Sequence, residues 1–205
     1  MTEITETIVH KLLNVVDAGL VKGLGNPEPG QMCVEAAVCY ALGLPHGDNP
    51  YCIAPTLRSL KIRLNDSSWS SDQARAKGLR RLAVAQLGSA NVLNESEFRR
   101  RIVDHALRKS VPRALRFAAS VQKDHNHKSA LLDAAIRCEK DASKDAAADA
   151  ADAATAAAAA AAADASIRKK KRDEVLSSYA EDIVQILIDM KAPGCQWLPL
   201  TEDAQ

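Results

Sequence analysis

Apolar residues along the chain recur mostly three and four positions apart. Ile4, Ile8, Val9, Leu12, Leu13, Val16 and Leu20 draw one stripe along a helix from about Thr2 to Val21. The stripe stops at Gly19, Gly23 and Gly25. Asn26-Pro27-Glu28-Pro29-Gly30 then forms a rigid loop, since each proline fixes φ and disfavours helix in the residue before it. Gln31 to Leu42 is apolar round nearly its whole circumference, the pattern of a buried helix, with Gly43 and Pro45 as its stop. His46 to Cys52 has turn chemistry throughout.

Thr56 to Leu64 fits either period. Leu57, Leu60 and Leu64 suit a helix, and Leu60, Ile62 and Leu64 suit a strand. Helix is preferred because no second strand signal exists to pair with it. Ser70 or Ser71 caps a helix to about Leu87, ended by Gly88. Asn94 and Glu97 resemble a capping box and start a helix to about Lys109. Pro112 suits the first turn of the next, reaching about Val121. Asp124 to His127 reads as a polar connection, followed by helix from about Ser129 into an alanine tract. Nothing from Ser129 to Ala165 breaks a helix, but so long a rod, ~55 Å at ~1.5 Å per residue, predicts a break near Ser143. A last amphipathic helix spans about Asp173 to Met190. Pro193-Gly194 stops it, and Trp197, Leu198 and Leu200 dock the tail.

The pattern predicts an all-α multi-helix bundle, with a Gly/Pro-punctuated N-terminal helical part and a long alanine-rich helix. We expect a single domain over 1–205, sub-divided at most into 1–90 and 91–205. Composition changes one part of this picture. The chain is 47% hydrophobic, but sixteen of the twenty residues from Ala146 to Ala165 are alanine, which gives helix propensity and little burial. The core must come from Leu, Ile and Val elsewhere. Asp149, Asp152 and Asp164 in that tract argue against a membrane span. The acidic start, Met-Thr-Glu-Ile-Thr-Glu, is unlike a secretory signal, and five irregularly spaced cysteines read as reduced thiols, so a cytoplasmic location is expected.

The net charge of +1 conceals segregation. Residues 1–57 carry two basic and six acidic side chains, net −4. Residues 58–116 carry fourteen and five, net +9, and residues 117–205 carry eleven and fifteen, net −4. Arg75, Arg80, Arg81, Arg99, Arg100, Arg101, Arg108 and Arg113, with Lys77, Lys109 and Arg116, are candidates for holding a polyanion or an acidic partner. Their plain structural reading is that the acidic ends fold onto them.

Other chemistry is sparse. Cys33, at the start of a helix after a Pro-Gly loop, is a candidate nucleophile, since a helix N-terminus favours thiolate. Gly30-Gln31-Met32-Cys33 with Ala41-Leu42-Gly43-Leu44-Pro45 resembles the nucleophile segment of transglutaminase-like thiol enzymes. That resemblance implies a His and an Asp partner, and His46 and Asp48 are the nearest, although the family places these on β-strands that this sequence lacks. The alternative for Cys33 is a buried core thiol. Glu35 is the one charge in its helix. It either lies on a wet edge or is buried against Arg58 or Arg63. Cys33 and Cys39 are about 240° apart round a helix and cannot chelate together. Cys39, His46 and Cys52 lack zinc-site spacing, so no metal is expected. No phosphate loop or dinucleotide fingerprint appears, and no cofactor is expected.

Arg101 to Lys140 followed by the alanine tract resembles, in texture, alanine-rich all-helical proteins predicted to be immunity proteins of bacterial toxin systems. The resemblance implies an inhibitor or immunity-type protein of bacterial or mobile-element origin. The expectation is therefore a non-enzymatic protein that binds a macromolecular partner: a protein first, nucleic acid through 58–116 second. A thiol enzyme using Cys33 with His46 is the competing reading. Association with further copies of the chain is compatible with each.

Overall fold

The computed structural model describes residues 3–141 and 165–202, and every regular element among them is helical. The chain divides into two compact units, 1–99 with 176–205, and 100–175. The expected sub-division at 90/91 left the last helix in the second part. Instead that helix and the tail return to the first unit, where the apolar side chains Ile183, Val184 and Leu187 are buried.

In the first unit, α1 (Glu6–Asp17) is capped by Thr5, whose hydroxyl accepts the Ile8 N–H, and it buries Val9, Leu12, Leu13 and Val16. The segment before α2 carries a single isolated bridge, Gly25 to Met32, which holds Gln31 and Met32 extended. Gly25 has φ +71°, and a Cβ there would lie 1.9 Å from the Gln31 carbonyl oxygen, so only glycine fits. For this reason α2 (Val34–Ala41) starts three residues later than the apolar run suggests. The ambiguous segment is helix: α3 (Pro55–Asn65) begins at a proline, which loses nothing at a first-turn position. Its N-cap, Ala54, has no capping group. The Thr56 N–H is satisfied instead by Glu95 Oε2 at 2.9 Å, thirty-nine residues along the chain.

The Ser71 hydroxyl caps α4 (Asp72–Ala85) by accepting the Ala74 N–H. The α1 helix packs on α2 and α4, and the terminal 3-10 helix Pro193–Thr201 packs on α4 and α1. At Gly194 an added Cβ would stand 2.5 Å from the Val84 carbonyl and 2.6 Å from that of Ala85. The tail therefore docks by direct approach of two backbones, and of its expected anchors Leu198 is buried while Trp197 and Leu200 are half-buried.

Helix α5 (Glu95–His105) starts where Asn94 Oδ1 accepts the Glu97 N–H, and its Phe98 is fully buried in the first unit. Where a helix end was expected, the chain continues through a π turn, Ala106–Ser110, into α6 (Val111–Val121). Pro112 explains the turn. Lacking an N–H, it cannot bond the Arg108 carbonyl, and its ring crowds that position, so the wider turn carries the helix past it. Helix α7 (His125–Lys140) begins four residues before Ser129, because Asp124 is its N-cap and accepts the His127 N–H at 2.9 Å. The 124–127 segment is thus a helix start. The helix ends at Lys140, followed by an extended Asp141 (φ −130°, ψ 100°), and Ser143, where the break is expected, lies outside the described residues. The second unit's core is Leu115, Ala119, Leu131, Ala134, Ala135 and Cys138, shared by α6 and α7.

The alanine tract and its aspartates beyond Asp141 lie largely outside the described residues. Helix α8 (Ala165–Asp189) covers nearly all of the expected last helix, and Lys191 beyond it adopts φ +57°. No helix among the described residues is long and apolar enough to cross a membrane.

Candidate functional site

The N-terminal turn of α2 gathers most of the first unit's polar chemistry. Cys33 is its N-cap: the sulfur accepts the Ala36 N–H at 3.4 Å and is 5% exposed. A helix N-terminus lowers a thiol pKa, yet burial is the larger effect and pushes the Cys33 thiol up; the Ala36 and Glu35 amides pull the other way without reversing it. Burial likewise raises Cys52 and takes Cys39 to about 11. His46 Nε2 lies 3.0 Å from the Gly25 carbonyl, and Asp48 Oδ1 accepts from Arg58 Nη2 at 2.8 Å. Cys33 and Asp48 border the same small pocket, of about 90 Å³, but no hydrogen bond joins Cys33, His46 and Asp48 to one another among the described residues. Cys33 is thus a buried helix cap, and neither His46 nor Asp48 hydrogen-bonds to it among the described residues.

Glu35 lies on no wet edge. It is fully buried, and its partner is neither Arg58 nor Arg63 but Lys61 of α3, whose Nζ is 3.1 Å from Glu35 Oε1 with both side chains sealed from water. Arg58 is taken by Asp48, and Arg63 is exposed. Burial raises the Glu35 pKa and lowers that of Lys61, each opposed by the attraction between the two. Among the described residues no further hydrogen bond supports the pair. Lys61 was discoverable in the sequence: positions 57, 61 and 64 share one helix face, and its other two members, Leu57 and Leu64, are core residues.

The basic segment divides sharply by role. Arg75 is buried, with Nε on the Asn65 carbonyl at 2.8 Å and Nη1 on that of Leu20 at 2.7 Å, so it ties a loop, α3 and α4 together. Arg80 pairs with Asp17 of α1 at 2.7 Å and also donates to the Thr201 carbonyl. Arg81 pairs with Glu181 at 3.1 Å and Glu202 at 3.5 Å. The acidic ends do fold onto this part of the basic segment. Arg99 Nε donates to the Glu95 carbonyl, and Arg100 and Arg101, further along α5, have partners as well.

In the second unit the pattern differs. Arg108, Lys109, Arg113 and Arg116 surround one open cleft of about 450 Å³, with Glu139 of α7 the only acidic residue lining it among the described residues. The π turn supplies Arg108 and Lys109, and α6 supplies Arg113 and Arg116. Arg108 pairs with Asp104 at 3.0 Å and donates to the Glu139 and Lys140 carbonyls, satisfying the C-terminal end of α7. Arg116 Nη2 donates to Glu139 Oε2 at 2.9 Å. The arrangement can hold a multiply charged anion by guanidinium forks. Sequence reasoning named all four cations but missed Glu139, whose approach depends on how α6 and α7 pack.

Among the described residues no group of three His, Cys, Asp or Glu side chains could hold a metal ion. In comparisons with known proteins, no family model, curated protein or solved structure matches the chain.

Proposed function

We propose that the chain is a non-enzymatic binding protein whose partner is a macromolecule with an acidic surface, a protein in the first instance, and that the cleft of Arg108, Lys109, Arg113 and Arg116 is the contact. The observation that carries this reading is the convergence of those four cations on one open cleft that one acid borders among the described residues. Arg108 and Arg116 also pair within the second unit, while Arg75, Arg80 and Arg81 hold the first unit together away from this cleft.

A protein partner is favoured over nucleic acid by the aromatic residues near the basic segment. Trp69 and Phe98 are buried, and Phe117 is half-buried and already in contact with a neighbour, so none offers an open face on which a base could stack. An immunity-type inhibitor is one form this function can take.

The test is fluorescence anisotropy with a labelled oligoglutamate peptide across a salt series. Binding that weakens as salt rises, and that Lys109→Glu with Arg113→Glu removes, supports the reading. Absence of binding at low salt overturns it.

A further inference from the structure

The cleft holds its own carboxylate. Glu139 reaches across from α7 to Arg116, and both side chains are well exposed, 42% and 44%. An exposed pair of this kind adds little to stability, so the fold does not explain it. The carbonyls at the end of α7 are met by Arg108, and the Glu139 carboxylate, which only accepts, takes no part in that cap. What Glu139 does is accept from Nη2 of Arg116, one of the four cations that line the cleft.

We propose that Glu139 is a built-in competitor for the cleft, and that the partner is an acidic peptide segment whose carboxylate displaces Glu139 from Arg116. This rests on the binding function proposed above and names the chemistry its partner must bring. The bound state shown within the chain is a carboxylate on guanidinium, which is the same contact that a Glu or Asp of the partner would make. Lys109, which lines the same cleft, gives that segment a further charge to meet, so it needs more than one acid within a short length. Displacement exchanges one carboxylate for another at Arg116. The contact therefore adds selectivity for densely acidic segments, since a ligand with a single acid gains little over Glu139 itself.

The experiment is a double-mutant cycle on the full chain, reading the Kd of a labelled hexaglutamate peptide by anisotropy at low salt. Folding of each variant is checked by its circular-dichroism melt. Glu139→Gln keeps the side chain's size and removes the competing charge. It should tighten binding about two- to fivefold, the span expected for one exposed ion pair released. Arg116→Gln alone should weaken binding only slightly, because that arginine is occupied, and adding Arg116→Gln to Glu139→Gln should abolish the gain.

Equal affinity of wild type and Glu139→Gln overturns the competitor role while leaving the cleft as a binding site. A gain that persists in the double variant also overturns it, since the effect would then come from net charge alone. If neither wild type nor Glu139→Gln binds the peptide, the parent reading fails as well. A single-stranded oligonucleotide bound more tightly than the peptide overturns the partner class.

Discussion

Removing one member of the Glu35–Lys61 pair should cost the first unit a large part of its stability. In Lys61→Met the apolar stem is retained, but a carboxylate with no exposure and no hydrogen bond is left without its countercharge. Breaking a buried pair this way costs about 3–5 kcal/mol, against total stabilities of about 5–15 kcal/mol for a domain. Replacing both, Glu35→Leu with Lys61→Met, removes the desolvation penalty of both charges. That variant should match wild type or exceed it by about 1–4 kcal/mol.

The cost of Lys61→Met should also depend on pH. Burial raises the folded-state pKa of Glu35 above its ordinary 4.5, and losing the ammonium raises it further. The folded state then holds a proton that the unfolded state releases, so the variant loses stability as pH climbs from about 4.5 and regains it on acidification. Urea denaturation followed by tryptophan fluorescence is the assay, because both tryptophans, Trp69 and Trp197, lie in the first unit. Single variants that cost under about 1 kcal/mol, or a double variant less stable than either single, would contradict a sealed pair with no outside support.

Three further outcomes follow from the same structure. Glu95→Ala should cost about 1–2 kcal/mol through loss of the α3 cap. The Thr56 hydrogen bonds hold the Glu95 pKa below 4.5, so the wild-type contribution is present above that value and fades as pH falls through the lower folded value; Glu95→Gln should flatten this in urea titrations at several pH values. Gly194→Ala should destabilise by about 1–3 kcal/mol in thermal melts, because its Cβ meets the α4 carbonyls and backbone has little room to yield. Iodoacetamide at neutral pH should label Cys33 in the native chain much more slowly than in the urea-unfolded chain, read by peptide mass spectrometry; equal rates would revive the thiol-enzyme reading.

The helices were readable because their signals are local. Ser71 and Asn94 announce helix starts by chemistry that acts within three residues, and the glycines mark stops, while Thr5, the cap of α1, lies three residues past the expected start. Asp124 carried the same signal, yet the two histidines beside it gave the segment the look of a loop. The π turn was hidden because Pro112 reads equally as a fresh helix start or as a fault within a continuing one. Site residues were less legible. The Glu35 partner lay on another helix, and a lysine on an apolar face is easily taken for a residue at its edge. The strong positive charge of 58–116 was real, but composition cannot tell which cations tie the first unit together and which line a cleft. Only the fold assigns Arg80 to Asp17 and gathers Lys109 with Arg113 at one cleft.

That division of labour is the central claim, and charge reversal in the two groups measures it most directly. Arg80→Glu with Arg81→Glu should lower the urea midpoint of the first unit and leave oligoglutamate binding by the folded protein intact. Lys109→Glu with Arg113→Glu should abolish binding and leave that midpoint unchanged. The reverse assignment, with binding lost through Arg80 and Arg81 and retained without Lys109 and Arg113, would contradict the account.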